Sequence, residues 1–120
     1  MNASIITKQN VRESVLDELA SELPAIIAEV LEVPGGNLAV LRPEQISLEF
    51  SPASPRDAGS DIRIMVFARS IDTRISTEYD LAREMLDRVV TLITGTGGDC
   101  SVDIRLYLME IGAAEYSPRG

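Results

Sequence analysis

The sequence contains no histidine, and this absence removes more chemistry than any other feature of its 120 residues. Histidine is the commonest general base, the commonest ligand of transition metals and the usual activator of a serine or cysteine nucleophile. Any catalysis by this chain must therefore use carboxylates, arginines, tyrosines, a chain terminus or Lys8, the single lysine.

Cysteine is nearly absent as well, since Cys100 is the only one. One cysteine cannot form an intramolecular disulfide, and structural zinc sites need several cysteines, alone or with histidines. Cys100 is predicted to be an ordinary thiol near the start of a strand. The acidic residues do not follow calcium-loop spacing, so we predict no metal and no cofactor.

Long apolar runs are missing too, because no stretch of about 18 apolar residues occurs and the N-terminus lacks the order of a signal peptide. We therefore expect a soluble, cytoplasmic protein with one domain over residues 1–120. Nineteen acidic residues against 11 basic ones give a formal net charge of -8. This charge repels phosphate backbones and anionic lipids, so neither nucleic acid nor membrane is an expected partner.

Arginine makes up all of the basic residues except Lys8. Guanidinium groups bind carboxylates through two parallel hydrogen bonds, so the bias fits a protein that binds carboxylates. A coding preference for arginine explains the same bias.

The apolar residues change between two periods along the chain. Alternation predicts four strands, centred on Ile5, Leu48 (within residues 44–50), Met65 (within 61–69) and Leu106 (within 101–109). Spacing of three and four predicts a first helix over 11–31, kinked or split by Pro24 near Leu23 and stopped by VPGGN at 33–37. It also predicts a second helix, capped by Ser76 or Thr77 and stopped by GTGGD at 95–99, which buries Ala82, Met85, Leu86, Val89, Val90 and Ile93.

Further details complete this prediction. One face of the second strand, with Ile46, Leu48 and Phe50, is predicted to be buried, residues 51–60 to form a loop, and the tail from residue 110 to form a loop or a short edge strand. The glycines of GTGGD follow a helix and precede a strand, which is the reverse of a phosphate-binding loop.

The order is therefore β-α-β repeated, with halves at about 1–52 and 60–112. A ferredoxin-like antiparallel sheet fits this order and would allow a monomer. Two parallel β-α-β pairs that abut in one four-stranded mixed sheet, with two helices on one face, fit it as well. Strands three and four carry bulky residues on both faces, which favours the second architecture, an α/β (α+β) fold whose uncovered face needs a partner.

In element order, lengths and spacing, the sequence resembles the tautomerase superfamily, the group of 4-oxalocrotonate tautomerase, 5-carboxymethyl-2-hydroxymuconate isomerase and macrophage migration inhibitory factor. The resemblance covers residues 2 to about 116. It implies a homotrimer in which three sheets enclose a central barrel. It also implies isomerase chemistry, in which an N-terminal proline exposed by removal of the initiator methionine moves protons between enol and keto forms.

The sequence departs from that pattern at the proline position, which Asn2 occupies. Aminopeptidases favour small second residues, so Met1 is expected to be retained, and its amine would then sit one residue too far out. A primary amine has an ordinary pKa of about 7.7–8.0 and can act as a base or form a Schiff base. Loss of proton transfer is the favoured prediction, and replacement of the proline by another acid or base is the alternative.

The resemblance also implies site residues. Arg12 matches an arginine that binds substrate carboxylate in 4-oxalocrotonate tautomerase; otherwise it is a solvated residue of the first helical turn. Arg69 and Arg74 resemble two arginines that hold a carboxylate in the cis-3-chloroacrylic acid dehalogenases, and Glu115 matches a glutamate there. Alternatively, the two arginines pair with Asp72 or Glu78.

Arg69 and Arg74 place two guanidinium groups at a strand end next to a helix, where they would bind an anion.

Four further candidate residues lie on strands three and four. Arg105 is a further candidate for binding substrate, although Arg63, Asp103 and Arg105 are equally expected to form ion pairs between subunits. Tyr107 could donate to an oxyanion, whereas a packed strand tyrosine is the commoner case.

Two functions follow from these residues. One is a keto-enol isomerase acting on a small carboxylate, with another acid or base in place of the proline. The other is a non-catalytic trimer that binds a small anion or a protein.

Overall fold

A computed structural model describes residues 1–32 and 42–118 of the chain. Its strands are β1 (Asn2–Thr7), β2 (Ser47–Pro52), β3 (Ile62–Arg69) and β4 (Val102–Met109). Its helices are α1 (Glu13–Leu31), α2 (Asp72–Ser76) and α3 (Glu78–Gly95), with a 3-10 turn at Pro43–Gln45. The predicted helix stop at 33–37 lies outside the described residues.

The strands form one mixed sheet in the order β2-β1-β3-β4. The outer strands run parallel to their inner neighbours, β2 to β1 and β4 to β3, and the two inner strands are antiparallel. Each β-α-β unit is thus a parallel pair, and the two pairs abut at the centre. This confirms the second predicted architecture and excludes the ferredoxin-like one.

The hydrophobic core lies between one face of the sheet and the helices α1 and α3. Alternate side chains of β3 are fully buried there, and they meet the apolar stripes of both helices. Burial of each large aliphatic side chain contributes about 1.5–3 kcal/mol. The buried strand residues on this face are Ala3, Ile5, Ile62, Ile64, Val66 and Ala68.

The other face of the sheet, called the open face below, is covered by no helix of the described chain. Side chains alternate between faces along a strand, so the register assigns each residue to one face. The open face carries Asn2, Ser4 and Ile6; Ser47, Glu49 and Ser51; Arg63, Met65, Phe67 and Arg69; and Asp103, Arg105, Tyr107 and Met109.

The first helix differs from its prediction at two places. It begins at Glu13 and not at residue 11, because the backbone N–H of Val11 closes a turn onto the carbonyl of Lys8. The predicted split near Leu23 is wrong, since α1 runs unbroken through Pro24. Buried side chains on both sides of the proline, among them Leu23 and Ile27, hold the helix against the sheet.

The second strand also differs. Residues 43–45 form the 3-10 turn, so β2 starts three residues later than expected and continues to Pro52. Ile46 is buried as predicted, but Phe50 is 38% exposed. This strand is an edge of the sheet and has a neighbour on one side only.

The second long helix, α3, is confirmed with two changes. Val90 is 44% exposed, so the buried face is narrower than predicted. Thr77 is the N-cap residue, but its hydroxyl donates to the Thr73 carbonyl of the preceding turn.

The short helix α2 was not predicted, because five mostly polar residues carry no apolar period. The described tail, residues 110–118, forms no strand.

Candidate functional site

The open face has two ends, which the register defines. The "Asn2 end" is where β1 begins and where β3 and β4 end. The "Arg12 end" is where β1 ends and the chain turns into α1. A six-residue strand separates the two ends by roughly 17 Å.

Asn2 and Tyr107 lie in one row across the sheet at the Asn2 end. Asn2 pairs with Phe67 on β3, and Phe67 pairs with Tyr107 on β4. The two rings are stacked, with centroids 5.2 Å apart and planes 15° from parallel. Two strand spacings place the Cα atoms of Asn2 and Tyr107 about 10 Å apart.

Arg69 lies at the same end, two residues beyond Phe67 and thus about 7 Å further along the open face. Its partner across the ladder is Met109. The Arg69 residue is exposed, and none of the ion pairs within residues 1–32 and 42–118 includes it. This guanidinium is therefore available to an anion.

Arg105 occupies the next row, beside Met65. Its Nε lies 3.4 Å from a carboxylate oxygen of Asp103. A hydrogen bond to Tyr107 and the charge of Asp103 raise the pKa of Arg105. A small cavity of about 120 Å³ lies between these side chains and Arg63, below the 300–1,000 Å³ typical of ligand pockets.

Glu115 belongs to the tail that leaves the sheet at the Asn2 end, since β4 ends there at Met109. Residues 110–118 are all exposed. Glu115 is six residues past the end of β4, in a tail that leaves the sheet at the same end as Asn2. It is not part of the row that contains Asn2 and Tyr107.

Arg12 lies at the opposite end of β1. One terminal nitrogen of its guanidinium donates to the carbonyl of Gly97, at 2.6 Å. Gly97 follows α3 and has a φ of 79°, the left-handed conformation that commonly ends helices. A cation at a helix C-terminus is favourable, so Arg12 ties the start of α1 to the end of α3.

Arg74 is buried, with 3% of its surface exposed. Its Nε and one terminal nitrogen donate to the carbonyl of Leu31, at 3.3 and 2.9 Å. The other terminal nitrogen donates to the carbonyl of Arg69, at 3.1 Å. Burial lowers the pKa of Arg74. Neither Arg69 nor Arg74 forms the predicted pair with Asp72 or Glu78 among the described ion pairs.

Polar groups near the Arg12 end bind one another. Arg63 forms an ion pair with Asp57 of its own chain. Asp61 and Ser101 exchange two hydrogen bonds: the N–H of Ser101 donates to the Asp61 carboxylate at 3.0 Å, and the N–H of Asp61 donates to the Ser101 hydroxyl at 2.9 Å. The bond from the Ser101 backbone is the main cause that lowers the pKa of Asp61.

Cys100 is a half-buried free thiol. Burial and the charge of Asp61 raise its pKa, so it stays protonated at neutral pH and is a poor nucleophile. Within the two described ranges, no three acidic or cysteine side chains gather as metal ligands. No helix in that part of the chain is long and apolar enough to span a membrane.

The sequence prediction missed Phe67 and Met109 as members of the Asn2 end. Both follow the alternating pattern of their strands. The sequence alone, however, does not show which outward-facing residues of different strands lie side by side, because that depends on the strand register. The register also brings together Asn2, Arg69 and Tyr107, which the sequence prediction had named separately.

Comparison with known proteins gave matches by structure only, since no family model and no curated protein matches this sequence. A member of the cis-3-chloroacrylic acid dehalogenase family is 12% identical, with a TM-score of 0.64 over 92% of this chain and 76% of that one. A fused 4-OT, an asymmetric trimer, is 10% identical, with a TM-score of 0.64 over 99% and 97%. A macrophage migration inhibitory factor-like protein from Entamoeba histolytica is 17% identical, with a TM-score of 0.59 over 97% and 94%.

The chain has the tautomerase-superfamily fold. The matched structures include dehalogenase-family, 4-OT and migration inhibitory factor-like members of that superfamily. At these identities the likeness establishes the fold, and it confirms the chain fold that the sequence resemblance implied.

Proposed function

We propose that this protein is a homotrimer that binds a small carboxylate at the Asn2 end of the open face. The observation that carries the proposal is the exposed Arg69, which has no ion-pair partner among the described residues and follows Phe67, one of two stacked rings, by two residues on the open face.

The chemistry of this end suits an anion with an apolar body. A guanidinium offers a planar fork of N–H donors that matches a carboxylate. Phe67 and Tyr107 provide an aromatic surface within one pleat of that fork. In a chain of net charge -8, a locally unpaired arginine is the feature that would select a negative ligand.

Assembly would complete the site. The cavity beside Arg105 and Tyr107 is too small and too open for a ligand to be enclosed. Ile6, Met65 and Phe67 lie on the open face, which no helix of the described chain covers, and such a face favours burial against other subunits. The fused 4-OT with a similar fold is a trimer. Native mass spectrometry should therefore find three times the 13.1 kDa chain mass; a mass of one chain would contradict the trimer.

Calorimetric titration with benzoate, a carboxylate on an aromatic ring, tests binding. We expect Arg69→Gln to weaken the affinity for benzoate at least tenfold. Arg56→Gln is the matched control, because it removes the same charge from an exposed loop residue outside the open face. Equal affinities for the wild type and Arg69→Gln would contradict the proposal.

Keto-enol isomerisation is the second candidate function, and the position of Tyr107 favours it. Tyr107 belongs to the Asn2 row, and its interaction with Arg105 is the main cause of the raised pKa of that guanidinium, so its phenol lies among charged groups where it could donate to an enolate oxygen. Glu115, in the tail that leaves the same end, is the candidate for moving the proton. The amide of Asn2 cannot act as a base.

Ketonisation of phenylenolpyruvate by the wild type and by Asn2→Pro separates the two functions, with the N-terminus of the variant checked by intact mass. Activity of the variant alone would favour binding as the natural role. Activity of the wild type would favour isomerisation, and Tyr107→Phe and Glu115→Gln should then each reduce it.

A further inference from the structure

Arg74 combines three features that a ligand-binding arginine does not need. It is buried, it donates three hydrogen bonds to main-chain carbonyls, and no carboxylate pairs with it in the described part of the chain. The carbonyls belong to two separate places, Leu31 at the last residue of α1 and Arg69 at the last residue of β3.

No strand residue of the described chain donates to the carbonyl of Arg69. The N–H of Ser70 donates to the carbonyl of Met109 on β4, at 2.9 Å. Polar backbone groups of successive strand residues point to opposite sides, so the Arg69 carbonyl points away from β4, toward β1. There, however, the ladder ends with the pair of Asn2 and Phe67. Arg74 supplies the donor that β1 is too short to provide.

The same bond acts on the backbone from which the Arg69 side chain projects. The Arg74 side chain of α2 donates to the Arg69 carbonyl, while the following N–H, that of Ser70, donates to the Met109 carbonyl of β4. Together the two bonds fix the orientation of the peptide between Arg69 and Ser70. Arg74 is anchored in turn to the C-terminal end of α1, where a cation is favoured.

We propose that Arg74 is a positioning residue, which sets the backbone at the end of β3 so that the Arg69 guanidinium faces the ligand site. It replaces the expectation that Arg74 itself binds the carboxylate. The inference rests on the proposed function for its effect on binding, and on geometry alone for its effect on the conformation of Arg69.

The test uses Arg74→Lys and Arg74→Met beside Arg88→Lys and Arg88→Met. Arg88 is a matched control, because it also joins α1 to a later element, through an ion pair with Glu29, but away from the open face. NMR follows the Nε–H signal of Arg69, assigned by its loss in Arg69→Gln, and the backbone amide of Ser70. The affinity for benzoate and the melting temperature are measured on every variant.

We expect both Arg74 variants to shift the two NMR signals and to weaken benzoate binding about fivefold or more, with Lys intermediate because an ammonium can hold one of the two carbonyls. Both Arg88 variants should leave signals and affinity unchanged, whatever their melting temperatures. If Arg74→Met does not fold, Arg74→Lys carries the comparison.

Unshifted signals and wild-type affinity in the Arg74 variants would overturn the inference and leave the proposed function intact. If the wild type itself fails to bind benzoate, carboxylate binding fails, and the signals of Arg69 and Ser70 still decide the inference. Shifts seen in Arg74→Lys and absent from Arg88→Lys would support it, and unshifted signals would overturn it.

Discussion

The two ends of the sheet contain similar residues that are used in opposite ways. At the Arg12 end, charged groups bind their own chain: Arg12 donates to the carbonyl of Gly97, and Arg63 pairs with Asp57. At the Asn2 end, the Arg69 guanidinium is exposed and lies outside every described ion pair. The contrast shows that residue type alone does not reveal which arginines already bind their own chain.

Arg74→Met should produce the largest effect on this comparison, since it removes the support beneath the Asn2 end. The Leu31 carbonyl, in a buried position, and the Arg69 carbonyl, in a partly buried one, would lose their donors. An unpaired buried polar group costs about 1–3 kcal/mol, so we expect a loss of about 2–4 kcal/mol in the free energy of unfolding. Urea denaturation measures it, and Arg88→Met should lose about 1 kcal/mol or less. Equal losses for Arg74→Met and Arg88→Met would contradict the claim that Arg74 supports the backbone at the Asn2 end.

Arg12→Met tests the other end. Removal of the bond to the Gly97 carbonyl should lower the free energy of unfolding by about 1 kcal/mol, the usual size of one hydrogen bond. Thermal and urea unfolding measure the loss. Benzoate titration of the same variant sharpens the comparison, because weakening as strong as that of Arg69→Gln would make Arg12 part of the binding site.

Tyr107→Ala should lower the free energy of unfolding by an amount similar to that for Arg12→Met, through contacts at the Asn2 end. Loss of the stack with Phe67 removes about 0.5–1.5 kcal/mol. Tyr107→Phe keeps the ring and is the control for the hydroxyl. Urea unfolding of both variants decides the point, and a loss for Tyr107→Phe as large as that for Tyr107→Ala would show that the hydroxyl, not the stack, stabilises this end.

Asp61 gives the smallest effect and a pH dependence that belongs to the Arg12 end. Its pKa in the folded protein lies below the ordinary value of 3.8, mainly because the Ser101 backbone donates to it. The stability that it contributes is therefore present above about pH 4 and is lost as the pH falls through the folded value.

Melting temperatures between pH 2 and 6 measure this contribution. Asp61→Asn should melt lower than the wild type at pH 6, and the difference should shrink toward pH 2. Asp17→Asn, the same loss of charge at an exposed position of α1, is the matched control. A constant difference for Asp61→Asn would contradict the linkage.

The sequence was sufficient for most of the fold and for little of the site. Strong alternation in β3 and a helical period in α3 predicted both elements closely, because each buries one face over a long stretch. The short helix α2 and the exposure of Phe50 were missed, since they depend on what packs alongside.

The site was harder to predict for a related reason. Arg12, Arg69 and Arg74 look alike in the sequence, and only tertiary hydrogen bonds distinguish them. Two donate to carbonyls 85 and 43 residues away along the chain. Sequence spacing contains no information about such partners.

NMR mapping of benzoate on the assigned protein tests most directly whether ligands bind at the Asn2 end. We expect the largest amide shifts at Asn2, Phe67, Arg69 and Tyr107, with a saturation curve that Arg69→Gln abolishes. Shifts centred on Lys8 and Arg12, or no saturable shift at any residue, would contradict the account.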